Sequence, residues 1–256
     1  MREGLTDGSV VVRYQPVIDA EDGRVTTIEA LARLRRRDGT LLPPKDFVPI
    51  AERSALIDRL GEMVLRRALM DLYPLRRDVD ERLTVSPEQL RNRRFPEMVF
   101  DALSVAGLTV DALVLEVTET ASLPDIPGAY DVLRTLANRG VAIAIDDFGV
   151  GQTRFDTLRE LPVSALKIDR SFVSRIIDSP ADRDIVEAIV LLARKRGIKV
   201  VAEGVETIDL VDELNELGCT HLQGFLFSKP TSIEELTLLL KQWRTVPVIA
   251  IKKRGH

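Results

Sequence analysis

Residues 141–154 read VAIAIDDFGVGQTR. An apolar run to Ile145 ends on two adjacent carboxylates, Asp146 and Asp147, and a turn follows at Gly149 and Gly151. Two neighbouring anions are costly unless a proton or cation neutralises them. The same arrangement, an apolar run closed by polar groups, recurs along the chain. It yields Glu29 to Arg33, Thr84 and Ser86, Glu116 and Glu119, Lys167 and Asp169, Glu203 and Glu206, and Gln223. If these runs are parallel strands of one barrel, their ends share a single rim. Glu29, Glu116, Asp146, Asp147 and Glu203 then crowd one mouth. All-oxygen donors with no His or Cys beside them point to a hard cation, Mg²⁺, Mn²⁺ or Ca²⁺.

Two such ions about 4 Å apart are a common device for in-line displacement at phosphorus. Lys167 would stand over the rim as a fixed cation, and Glu203 would accept a proton from the attacking water. Arg33 would grip a phosphate oxygen bidentately. Taken singly, each residue has an ordinary reading: a loop carboxylate, a surface lysine, a turn glycine. The functional case rests on the set, with successive strands each donating a charged or amide group at one end.

The elements that must position this set follow from periodicity. Strands are expected at Val10–Ile18, Val25–Leu34, Arg82–Val85, Leu113–Val117, Val141–Ile145, Ala165–Ile168, Lys199–Ala202 and Thr220–Leu222. Helices are expected at Ile57–Leu75, Phe95–Ala106, Gly128–Arg139, Ala181–Arg196, Leu210–Leu217 and Ile233–Trp243. The turn AEDG between the first two strands marks an antiparallel hairpin. Strand and helix alternate thereafter, so the fold class is α/β. Eight strands in 256 residues suggest a closed (β/α)8 barrel of the TIM type. An open doubly wound sheet is the alternative, but neither GxGxxG nor GxxxxGK[ST] occurs. We expect one domain over residues 1–256, with a core of about 10–243 and a tail at 244–256.

Composition narrows the function classes. The net charge of −4 does not favour a nucleic-acid surface, so no DNA partner is expected. The runs Arg35-Arg36-Arg37 and Arg91-Asn92-Arg93-Arg94 read as solvated faces among acidic neighbours. One cysteine, Cys219, permits no internal disulfide and no thiolate metal site, and two histidines argue against a Ser-His-Asp triad. Cys219 reads as a buried small hydrophobe. The N-terminus lacks a signal-peptide core. No apolar run reaches the ~18 residues of a bilayer span, so no membrane association is expected and the chain reads as cytoplasmic.

The segments YQPVID, IEALAR, FVPIAE, LEVTET, IDDFGVG, LKIDRSFV, VVAEGVET and LQGFLFSKP, in this order, resemble the EAL domain family of bacterial cyclic di-GMP phosphodiesterases. The likeness runs from about Tyr14 to about Leu240. It implies a TIM-type barrel whose first strand is antiparallel, and hydrolysis of cyclic di-GMP to linear pGpG with one or two Mg²⁺ or Mn²⁺ ions. By resemblance Glu29, Glu116 and Asp146 are metal ligands, Asp147 serves a second ion, and Lys167 and Glu203 are catalytic. Gln15, Leu31 and Arg33 contact the dinucleotide, and Gln223 joins them from the shell of metal and water. Glu119 anchors the loop after the fifth strand, which helps form a homodimer. An upstream sensory or GGDEF domain is a further partner the resemblance suggests.

Departures from the family pattern are specific. An Asn ligand on the third barrel strand is replaced in Thr84-Val85-Ser86, and DDFGTGYSS becomes DDFGVGQTR. Leu34 stands for a Trp, and Ala55 for a Gly. A threonine hydroxyl is a shorter and poorer neutral ligand than an amide carbonyl. The alternative function is therefore a cyclic di-GMP receptor that binds without cutting. Thr84→Asn is expected to raise both Mn²⁺ affinity, read by calorimetry, and turnover. No change in either places the ligand position elsewhere.

Overall fold

The computed structural model describes residues 8–75, 80–85, 87–118, 123–150 and 155–243. In chain order the elements begin with β1 (Val10–Asp19), β2 (Val25–Arg35), β3 (Leu41–Leu42), α1 (Pro44–Arg53) and α2 (Ile57–Leu72). Next come β4 (Asp80–Val85), α3 (Phe95–Ala106), β5 (Leu113–Thr118), α4 (Ala129–Asn138), β6 (Ala142–Phe148) and α5 (Phe155–Glu160). The last are β7 (Val163–Ile168), α6 (Arg170–Val173), α7 (Pro180–Arg196), β8 (Lys199–Ala202), α8 (Ile208–Leu217), β9 (His221–Leu222) and α9 (Ile233–Trp243).

The sheet closes on itself. Its order is β1-β9-β8-β7-β6-β5-β4-β2-β3, with β1 also paired to β2. β1 is antiparallel to both its neighbours, β2 and β9, while β2 and β4 to β9 run parallel. The result is an eight-stranded α/β barrel whose first strand is reversed, with the two-residue β3 appended to β2. The β1–β2 hairpin forms as expected from its turn, in which Asp19 Oδ1 accepts the Glu21 and Asp22 amides at 2.8 and 3.2 Å.

Parallel strands covered on both faces read as near-continuous apolar runs, and Leu113–Val117, buried at every position, is apolar except at Glu116. Helices start and stop on local signals. Ser179 caps α7, with Pro180 in its first turn and left-handed Gly197 at its end. Thr207 caps α8 and Gly218 closes it. Outside the barrel the core falls in two clusters: α2, α3 and α4 pack over one arc of the sheet, and α7 and α8 over another. Trp243 at the end of α9 donates to Gly23 O at 2.9 Å and so ties α9 to the β1–β2 turn.

The third cluster is small and positions the site. Val114, Ala144 and Ala165 form it. Side chains alternate along a strand, so the residue two further on shares the same face. Those residues are Glu116, Asp146 and Lys167. The barrel interior thus carries small apolar side chains in one layer and charged ones in the layer above.

The boundary that matters most for the site, the end of β6, differs from expectation. The sequence reading ended β6 at Ile145, where the apolar run stops, but the strand continues to Phe148 through both aspartates. Inward positions near the barrel top are polar, so loss of hydrophobicity there does not mark loss of strand. β3, α1, α5 and α6 were not anticipated; each is short or lies in a stretch without a sustained period. The arginines at 35–37, 91, 93 and 94 are exposed, as their acidic surroundings suggested. Cys219 is buried and its thiol is pushed up to about 12 by that burial. The tail at 244–256 lies outside the described residues, and among those described no helix is long and apolar enough to cross a membrane.

Where the chain after β9 crosses the chain after β8, Gly224 has no room for a side chain. A Cβ there would lie 2.0 Å from Val205 O and 2.3 Å from Val205 N. Backbone cannot swing aside as a flexible side chain can. Gly224→Ala is expected to lower stability by at least ~1–3 kcal/mol in urea unfolding, whereas Gly39→Ala, with nothing within 4 Å of its Cβ, should cost less even though φ is +86° there.

Candidate active site

Lys167 is the centre of the mouth. It is 1% exposed, and its Nζ lies 2.6 Å from Glu203 Oε1, 2.9 Å from Glu116 Oε2, 3.3 Å from Asp146 Oδ1 and 3.5 Å from Glu29 Oε1. These carboxylates come from the end of β8, from β5, from β6 and from β2. Burial alone would lower the lysine's pKa, but Asp146, Glu116, Glu203 and Glu29 together hold it well above the ordinary value. Lys167 is therefore a fixed cation. Four carboxylates against one ammonium leave a formal charge of −3.

The two adjacent aspartates reach the same rim through a break in the strand. In a regular strand, consecutive side chains point to opposite faces. Between Ile145 and Phe148 the pairing of β6 with β7 shifts register, and Asp147 adopts φ +56°. This bulge lets Asp146, Asp147 and Glu203 each place an oxygen within 4.8 Å of the other two. A left-handed conformation at a non-glycine residue costs of order 1 kcal/mol and persists only where surroundings enforce it. The Asp147 amide donates to Asp146 Oδ1 at 3.0 Å, which helps hold the turn. Burial pushes the Asp147 carboxyl up to about 6, with Asp146 and Asp169 adding to the shift. Burial also pushes Glu203 up to about 8; Asp146 and Glu29 reinforce this and Lys167 opposes it.

Gln223 Nε2 donates to Glu29 Oε2 at 2.6 Å, while its Oε1 is buried with no hydrogen-bond partner among the described residues. A buried amide oxygen without a donor is costly. The donor set here is all oxygen, carries excess negative charge and includes that orphaned oxygen. It fits a divalent cation of the Mg²⁺ or Mn²⁺ type.

The remaining residues fall as follows. Gln15 pairs with Glu29 across the hairpin and lines the mouth, although its amide nitrogen is given to Ser228 O at 3.0 Å. Leu31 lines two cavities that meet at Glu29 and Asp146. One is a cleft of about 230 Å³ over Lys167, and the other, of about 580 Å³, extends between α1, α2 and β2 to Gln89 and Phe95. Arg33, two residues beyond Leu31, lines neither, and its Nη1 donates to Ala32 O at 2.8 Å. Thr84 stands in β4 at the register position opposite Glu116. Glu119 lies outside the described residues.

Sequence reasoning did not single out Arg170, Gly204 or Phe225, all of which line the cleft. The signal for Gly204 was its place directly after Glu203. Its φ is +71°, which only glycine adopts freely.

Comparison with known proteins identifies the family. A family model described as the EAL domain matches residues 1–230. The chain belongs to the EAL domain family. A cyclic di-GMP phosphodiesterase, NbdA of Pseudomonas aeruginosa, is 40% identical over 248 residues, covering 95% of this chain and 32% of that protein. The P. aeruginosa MucR phosphodiesterase, solved in complex with cyclic di-GMP, superposes with a TM-score of 0.86 at 37% identity, covering 92% of this chain and 97% of the solved one. The EAL domain of Mycobacterium smegmatis DcpA gives 0.78 at 37% identity, covering 91% and 98%. The chain spans about a third of the length of the curated relatives it matches.

The EAL mouth has a pH signature. A carboxyl whose pKa is raised on folding favours its neutral form, so ionising it costs stability. That cost builds as pH rises from the ordinary carboxylate range to about 6 for Asp147 and about 8 for Glu203. In EDTA, the melting temperature is expected to fall between about pH 5.5 and pH 8. Mn²⁺ should raise it more at the upper pH than at the lower, because only the ionised carboxylates bind the ion. A flat profile with equal metal shifts would mean the carboxylates are not in conflict.

Proposed function

We propose that this EAL domain is a metal-dependent phosphodiesterase that hydrolyses cyclic di-GMP to linear pGpG. The observation that carries this reading is the convergence of Glu29, Glu116, Asp146 and Glu203 on Lys167, with Asp147 beside them. The 40% identity to a protein named as a cyclic di-GMP phosphodiesterase supports it.

Water adds across one phosphodiester, the P–O3′ bond breaks, and the proton lost by the water is balanced by one gained at the 3′ oxygen. Glu29, Glu116 and Asp146 would hold one Mg²⁺ or Mn²⁺, and Asp147 would serve a second. A divalent ion there neutralises charge on the phosphoryl oxygens and makes water more acidic. Glu203, at the mouth and in contact with Lys167, takes the proton from the attacking water. Lys167 keeps the carboxylates in register and opposes the negative charge that grows at phosphorus. Gln15, Leu31 and Gln223 line the surface that receives the dinucleotide, and Arg33, which lines neither cavity as it stands, reaches it only by swinging its guanidinium away from Ala32 O.

The functional unit is a single domain over residues 1–256, working as a cytoplasmic homodimer in which Glu119 anchors the loop after β5. The greater length of the relatives supports an upstream sensory or GGDEF domain.

Thr84 at the register position beside Glu116 favours a second reading, a receptor that binds cyclic di-GMP without cleaving it. One assay separates the two. Incubation with cyclic di-GMP and Mn²⁺ is expected to release pGpG. Lys167→Ala and Glu29→Ala should each lower kcat by about 10²–10³-fold. Tight binding without product would establish the receptor instead.

A further inference from the structure

The cleft over Lys167 contains a cation that the chemistry above leaves unused. Its acidic lining is Glu29, Asp146, Glu203 and Glu206, and its basic lining is Lys167 and Arg170. Lys167 is held by four carboxylates within 3.5 Å and is already assigned to the phosphate that is cut. Arg170 is different. It opens α6, is exposed, and its guanidinium makes no hydrogen bond or ion pair among the described residues. An arginine beside Glu203 and Glu206 that pairs with neither keeps its donors available.

Backbone geometry holds Arg170 there. A Cβ built on Gly204 would meet Arg170 Cβ at 2.4 Å and its Cα at 3.3 Å. Gly204 therefore lets the first residue of α6 press against the segment that carries Glu203. On the other side, Asp169 accepts the Ser171 amide at 2.9 Å and fixes how α6 begins.

We propose that Arg170 is a specificity-determining residue that grips the phosphate of the cyclic dinucleotide that is not cut. The proposal rests on the phosphodiesterase reading above. Cyclic di-GMP carries two phosphodiester groups. One occupies the carboxylate mouth. The other enters the same acidic cleft, where it meets repulsion unless a cation receives it. A guanidinium binds two phosphate oxygens at once, which fixes orientation as well as charge. Arg33 lines neither cavity, and Lys229, 5.6 Å over the Phe225 ring, does not line this cleft.

The test compares wild type, Arg170→Met, Arg170→Lys and the control Lys229→Met. Kinetics with Mn²⁺ use cyclic di-GMP and bis(p-nitrophenyl) phosphate, a diester with a single phosphate. Calorimetry in EDTA reads cyclic di-GMP binding without turnover. Arg170→Met is expected to raise KM and Kd for cyclic di-GMP about tenfold, with kcat/KM for the single-phosphate diester within about twofold of wild type. Arg170→Lys should recover part of the loss, and Lys229→Met should match wild type. An unchanged KM and Kd in Arg170→Met would overturn the assignment while leaving the hydrolase reading intact. So would an equal fall on both substrates, because that marks a structural role. Should wild type cleave neither substrate, the hydrolase reading fails and the Kd comparison alone decides Arg170. Absence of cyclic di-GMP binding by wild type sinks both.

Discussion

A lysine that is 1% exposed inside a barrel can remain charged only if anions surround it, and anions inside a barrel can remain charged only if a cation joins them. Lys167 and its carboxylates meet both conditions at once. The mutual dependence explains the interior beneath: Val114, Ala144 and Ala165 are small, so Glu116, Asp146 and Lys167 above them can draw together across three strands. It also explains why closure matters. Glu29 and Glu203 are 174 residues apart, and only a sheet that returns on itself brings both to one ammonium.

The balance is incomplete, and that is where function enters. One ammonium leaves several negative charges uncompensated, with Asp147 held in a strained conformation beside them. The conflict between burial and ionisation appears in the raised carboxyls of Asp147 and Glu203. A divalent cation relieves what the fold by itself does not. Binding of such an ion would offset the stability that these carboxylates cost the fold, as expected of a preformed metal site.

The reversed first strand gives the mouth its asymmetry. β1 and β2 form a hairpin with no helix between them, and Gln15 comes to stand opposite Glu29. The larger cavity opens beside β2 under α1, while the smaller cleft lies between the ends of β8 and β9, where Gly204 and Gly224 allow close approach. A ligand with two similar halves therefore meets two unlike walls, one mostly apolar and one charged.

Much of this was legible in the residue order. Alternating apolar runs and amphipathic stretches gave the α/β barrel, and the AEDG turn gave its hairpin. The absence of His and Cys near the acidic set pointed to a hard cation. These are local properties, carried by neighbours in the chain. The register break that turns Asp147 to the rim was not legible, because strand periodicity predicts that it points away from Asp146. Nor was the direct pairing: Lys167 was expected over the rim as a fixed cation beside a metal, but not within 3.5 Å of four carboxylates at once. The donation from Arg33 Nη1 to Ala32 O is likewise a contact that residue order does not foretell. The sequence by itself determined which groups would be available and the order of strands that carry them. Only the closed barrel decided which of them touch, because contact between residues far apart in the chain depends on strand register and bulges set by packing of the whole.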